Sequence, residues 1–174
     1  MIFDAKYWKA DLRRIAKVLD RRRTRGTWRR TSYGPFERDV MFGFYAIRKL
    51  SESHRLNEHF GGRQVPVITY PWNGRRVGYF AWPNIQDHFD LTRPTLKRES
   101  VKDLCDWIIH SSVFSPWFTS ANRLAGIFFC SDRRKHVEVI RLDIQRAIDL
   151  FRAASGSRPA GWLRVAPRQN RQVL

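Results

Sequence analysis

Apolar residues recur at helical spacing in four stretches of this chain, and the segments between them alternate in the manner of strands. From Asp4 to about Arg22, Trp8, Leu12, Ile15 and Leu19 fall at i, i+4, i+7 and i+11. Lys6, Lys9, Arg13 and Lys17 lie around the other side, which predicts an amphipathic first helix. Gly34-Pro35 punctuates the chain, and a second helix is predicted over 35–54 with Phe36, Val40, Gly43, Phe44, Ile47 and Leu50 inward. Glu37 and Asp39 in its first turn and Arg48, Lys49, His54 and Arg55 near its end suit the helix dipole at both ends. A short third helix begins near Glu99, with Val101, Leu104, Cys105 and Ile108 as its apolar stripe and Lys102, Asp106 and His110 as its polar one. A last helix, about Asp143 to Ala154, turns Ile144, Ala147, Ile148 and Phe151 to one face.

Between the helices, 65–70 and 76–82 read as two strands joined by the turn signal Pro71-Trp-Asn-Gly74. Residues 83–94 read as irregular, and Lys97 to Glu99 leads into the third helix. Val113 to Thr119 is strand-like, and 124–130 with 136–142 reads as a hairpin around Ser131-Asp-Arg-Arg134. These elements predict an α+β fold: a four-helix core with inserted antiparallel β-hairpins as a side layer. Residues 1–154 form the expected single domain. Ser, Gly, Pro and Arg dominate 155–174, which predicts a basic, flexible tail ordered only by a partner.

Composition sharpens the picture in one respect. Thirty-three Lys and Arg against 16 Asp and Glu give a net charge of +17, and 26 of the basic residues are Arg. So large an excess costs self-repulsion unless a polyanion offsets it, and Arg suits phosphate or carboxylate recognition. Arg21, Arg22, Arg23, Arg25, Arg29 and Arg30 surround Trp28 in ten residues. Arginine for phosphate with an aromatic ring for a base face is the composition of an RNA-binding segment, although Trp28 capping the core is an equal alternative. No apolar run nears the roughly 18 residues of a membrane span. The start lacks signal-peptide order, and Cys105 and Cys130 lie in apolar surroundings, as buried thiols rather than a disulfide. A cytoplasmic protein is expected.

Several chemistries are absent from the pattern. His54, His59, His88, His110 and His136 stand at no metal-ligand spacing, and no phosphate-binding Gly loop or nucleophile elbow occurs. No metal or cofactor is expected. The remaining candidate is the pair Asp106 and His110, one helical turn apart. A carboxylate there can orient an imidazole for general acid–base work on a ribose hydroxyl, with an Arg steadying the phosphate. The plainer alternative is a helix-terminal His suited to the dipole.

The run Asp103-Leu-Cys-Asp-Trp-Ile-Ile-His-Ser-Ser-Val-Phe114 resembles a motif in a group of uncharacterised bacterial proteins. So do Arg38-Asp-Val-Met-Phe-Gly-Phe-Tyr-Ala-Ile-Arg-Lys-Leu50, Ser131-Asp132-Arg133 and Asp149 to Arg152, so that the likeness covers roughly 36–152. More distantly, a polar residue, three residues and a His ending the third helix of a four-helix bundle is similar to the HEPN superfamily. That resemblance implies a metal-independent endoribonuclease of a toxin or defence type, acting as a homodimer. Its motif carries an Arg immediately before the polar residue, where this chain has Cys105. The Arg of the resemblance is therefore missing here or supplied from elsewhere, with Arg48 and Arg38 of the second helix as candidates.

Two readings follow. One is a nucleic-acid-binding protein, RNA favoured over DNA, with His110, Asp106 and Arg48 as catalytic residues and Arg21–Arg30 as binding surface. The other is a non-catalytic antitoxin, inhibitor or subunit whose basic face meets an acidic protein partner.

Overall fold

The computed structural model describes residues 2–25, 28–78 and 84–159. Within them, the four helices expected from periodicity are α1 (Ala5–Thr24), α2 (Tyr33–Glu52), α3 (Val101–Ile109) and α4 (Ile144–Gly156). The Asp4 side chain caps α1 by accepting from the Lys6 N–H at 2.9 Å, and Leu12, Ile15, Ala16 and Leu19 are its buried residues. α2 starts two residues earlier than Gly34-Pro35 suggests. A proline in the first turn loses only an N–H that has no intrahelical acceptor, so the helix passes over it.

The strands are β1 (Gln64–Pro71), β2 (Thr95–Ser100), β3 (Ser111–Phe118), β4 (Leu124–Ser131) and β5 (Glu138–Asp143). They form one antiparallel sheet in the order β2-β1-β5-β4-β3. The expected hairpin of β4 with β5 is present. The expected pairing of 65–70 with 76–82 is not: β1 pairs instead with β2, Val65 opposite Glu99 and Ile68 opposite Leu96, and with β5 on its other side. Residues 76–78 are not strand, and the rest of that expected strand lies outside the described residues.

Nor is the sheet a side layer. Val65 and Val67 of β1, Leu124, Ile127 and Phe129 of β4, and Ile140 and Leu142 of β5 join the helices in the main core. The opposite sheet face buries Tyr70, Phe128, Cys130 and Val139 under Val77, Ile85 and Phe89. The architecture among the described residues is thus a helical layer on a five-stranded sheet, with an irregular segment covering the far side.

Two glycines mark close approaches, one between helices and one between neighbouring strands of the sheet. A Cβ on Gly43 of α2 would lie 2.3 Å from the buried Phe151 ring of α4, and one on Gly126 of β4 would lie 2.5 Å from the Leu142 carbonyl oxygen. α4 ends later than expected: Ser155 is buried, and Lys9 Nζ and Arg13 Nη1 donate to the Ser157 and Ser155 carbonyls at 2.6 and 3.3 Å. Cations on the last carbonyls of a helix satisfy both their open acceptors and the dipole. The expected tail from 160 onward lies outside the described residues.

Candidate functional site

α3 sets the site. Ser100 caps it, its Oγ accepting from the Asp103 N–H at 3.1 Å and donating to Asp103 Oδ2 at 2.6 Å. The helix stops at Ile109, and the His110 N–H closes the last turn onto the Asp106 carbonyl at 3.1 Å. The chain then enters β3. The His110 carbonyl accepts from the Asp132 N–H at 3.3 Å, which fastens the β4–β5 loop to the end of α3. Four successive residues, Ser131 to Arg134, are thereby held beside His110.

The resulting cleft is open, about 620 Å³, and is lined by Arg48, Asp106, Trp107, His110, Ser131, Asp132, Arg133 and Arg134. All three residues proposed as catalytic from the sequence therefore line one cavity. Arg48 reaches it across the α2–α3 contact, with Nη1 3.0 Å from Asp106 Oδ1 and Nε donating to Glu52 Oε1 at 2.8 Å. Hydrogen bonds from Arg48 and Lys49 hold the Glu52 carboxyl below its ordinary range. Arg38, the other arginine considered, stands ten residues back on α2, about 15 Å along the axis, and does not line the cleft.

One expected contact is not made. Among the described residues no side-chain bond joins Asp106 to His110; the carboxylate faces Arg48, and the imidazole is exposed. Asp132 is likewise neutralised, with Oδ1 2.7 Å from Lys135 Nζ. Each acid in the lining is thus matched by a cation, while Arg133 is exposed and has no acidic partner there. Arg134 does different work. Its guanidinium lies 4.3 Å from the Trp107 ring centre and donates to Glu138, which Lys97 also holds on both oxygens at 3.0 and 2.8 Å. Trp107, Ser131, Asp132, Arg133 and Arg134 were not among the sequence-derived site residues. The signal for the last four was the Ser-Asp-Arg-Arg turn, which the sequence offered as a hairpin loop and as part of the resemblance, with no role at the site.

The arginines of the Arg-rich segment are not equivalent. Arg22 Nη1 lies 3.0 Å from the buried Asp39 carboxylate, and Arg23 Nε donates to Asp20 at 2.7 Å. Arg21 donates to the Lys17 carbonyl, while Arg25 and Arg29 are exposed. Trp28 is not a free stacking ring: it meets Phe36 and Phe118 edge-on at 5.5 and 5.1 Å, and so caps the core. The side chain of Arg30 lies outside the described residues. This segment sits beside the start of α2, whereas Arg48 is nine residues beyond Asp39, about 14 Å of helix rise away.

Cys105 and Cys130 are buried and unlinked, and burial pushes both thiols up to about 12. Neither is therefore a nucleophile at neutral pH. Among the described residues, no three His, Cys, Asp or Glu are grouped to hold a metal ion, and no helix is long and apolar enough to cross a membrane. No family model, curated protein or solved structure matches this chain.

Proposed function

We propose that this protein binds RNA in the cytoplasm, holding the phosphate backbone in the Arg48–Asp106–His110 cleft, and that the cleft is an HEPN-like, metal-independent endoribonuclease site used by a homodimer. The observation that supports the reading is the convergence in one open cleft of His110 and Arg133, both exposed, with Arg48 and Arg134 beside them. A phosphodiester entering there meets Arg133, which has no acidic partner in the lining, and Arg48, whose partners Asp106 and Glu52 are solvent-accessible. In the chemistry, the imidazole of His110 takes the proton of a ribose 2′-hydroxyl as that oxygen attacks phosphorus. The bond from phosphorus to the 5′-oxygen breaks, leaving a 2′,3′-cyclic phosphate, and the departing oxygen takes a proton from water. Arg48 and Arg133 balance the charge that grows on the non-bridging oxygens.

A second reading is favoured by one feature, the commitment of Asp106 to Arg48. An imidazole that no carboxylate orients suits a cleft that binds an acidic partner without chemistry. His110→Ala separates the two. The ribonuclease reading predicts at least a hundredfold loss of cleavage of a labelled single-stranded RNA, with the melting temperature unchanged because the ring is exposed. Wild-type protein that binds RNA and never cleaves it removes the catalytic half of the proposal.

A further inference from the structure

The outer faces of α1 and α2 leave an aromatic cluster in water. Phe42 is 37% exposed and Tyr45 39%, and Tyr7, 63% exposed, precedes Trp8 on α1. Trp8, half-buried, stacks on Phe42 with ring centres 6.0 Å apart and planes 11° from parallel, and lies 6.1 Å from Tyr45. Single apolar residues on a surface need no account, but adjoining rings do. Two ammonium groups stand over them: Lys6 Nζ is 4.9 Å from the Tyr7 ring and Lys49 Nζ is 5.8 Å from Tyr45. Phe42 and Tyr45 are one turn apart on α2, and Arg48 is one turn further. The ring face therefore runs along one side of the helix and reaches the cleft after about 4.5 Å of axial rise.

We propose that this ring face is a base-stacking platform for single-stranded RNA whose backbone continues into the Arg48–His110 cleft. The inference rests on the RNA reading above and adds which form of RNA is taken and where its bases lie. Exposed rings accept any base, because every base has a π-face, and the ammonium groups beside them meet the phosphates between stacked bases. A duplex keeps its bases stacked inside and offers none to the platform. Charge argues against a second copy of this chain as the occupant. Pressing two such faces together would bring Lys6, Lys49 and Arg48 of each copy into proximity on molecules of net charge +17, whereas an anionic strand relieves that repulsion.

The test compares wild-type protein with the Phe42→Ala/Tyr45→Ala variant, measuring binding of a fluorescent twelve-nucleotide uridine strand and of a twelve-base-pair RNA duplex. Wild-type protein should prefer the strand. The variant should lose roughly a hundredfold for the strand, about tenfold per ring, with duplex binding unchanged. If alanine lowers the melting temperature, Phe42→Leu/Tyr45→Leu keeps the apolar bulk, removes the stacking faces and should give the same loss. Equal strand binding by wild type and folded variant overturns the platform and leaves the RNA reading standing. Wild-type protein that binds neither probe overturns the RNA reading itself. A wild-type dimer by light scattering that becomes a monomer in the variant, with strand affinity unchanged, assigns the rings to self-association and also overturns the platform.

Discussion

Phe151→Ala is expected to cost about 3–5 kcal/mol, visible as a fall of roughly 10 °C or more in melting temperature. The ring is fully buried, stands edge-on to Phe44 at 5.1 Å, and fills the notch left by Gly43 where α4 crosses α2. The reverse change probes the same joint. Gly43→Ala gains about 1 kcal/mol of helix propensity, but its methyl would stand 2.3 Å from the Phe151 ring, and overpacking of that kind costs about 1–3 kcal/mol. The two sites must therefore couple: Gly43→Ala should be far less harmful in a Phe151→Leu background than alone, by a double-mutant cycle in denaturant. Simple additivity would show that the helices adjust freely at this crossing.

Glu138→Gln should destabilise the protein by about 3 kcal/mol, the low end for a broken buried pair, because Lys97 and Arg134, left without their partner, are partly exposed and can rehydrate. Burial alone would push the Glu138 carboxyl up. Hydrogen bonds from Lys97, Thr69 and Arg134 outweigh it and hold the group below its ordinary value of 4.5. A carboxyl depressed in the folded state contributes stability that is present above the unfolded value and disappears as pH falls through the folded one. The difference between wild type and Glu138→Gln should consequently be full above about pH 5 and shrink steadily below pH 4.5. A difference that stays constant down to pH 3 would mean that the charge is not the source of the effect.

The helices were legible because each turns one apolar stripe inward: Leu12, Ile15 and Leu19 of α1, and Phe36, Val40, Ile47 and Leu50 of α2, are buried where periodicity places them. The β4–β5 hairpin was legible for the same reason, with a polar turn between two apolar runs. β2 was not. Thr-Leu-Lys-Arg-Glu-Ser shows no alternation because it is an edge strand, paired with β1 on one side only, with Leu96 exposed. Its charges guard that open edge, and pattern reading takes them for a loop. The turn signal at 71–74 is real, since the Asn73 side chain holds the Arg75 N–H at 3.1 Å, but it leads into the covering segment rather than a returning strand. At the site, helical spacing placed Asp106 and His110 on one face. It did not supply the Arg48 contact that turns the carboxylate away from the ring, because that depends on how α2 lies across α3.

The proposed function makes the cleft and the adjoining ring face one anionic-strand surface, in which Arg133, Arg48, Lys6 and Lys49 meet phosphates. The most direct measurement is the affinity of wild-type protein for a single-stranded RNA as salt rises from 50 to 200 mM. Four phosphate contacts predict a slope of log affinity against log salt near −3, hence roughly a 50-fold weakening across that range. Undetectable binding at 50 mM, or an affinity that does not change with salt, would contradict it.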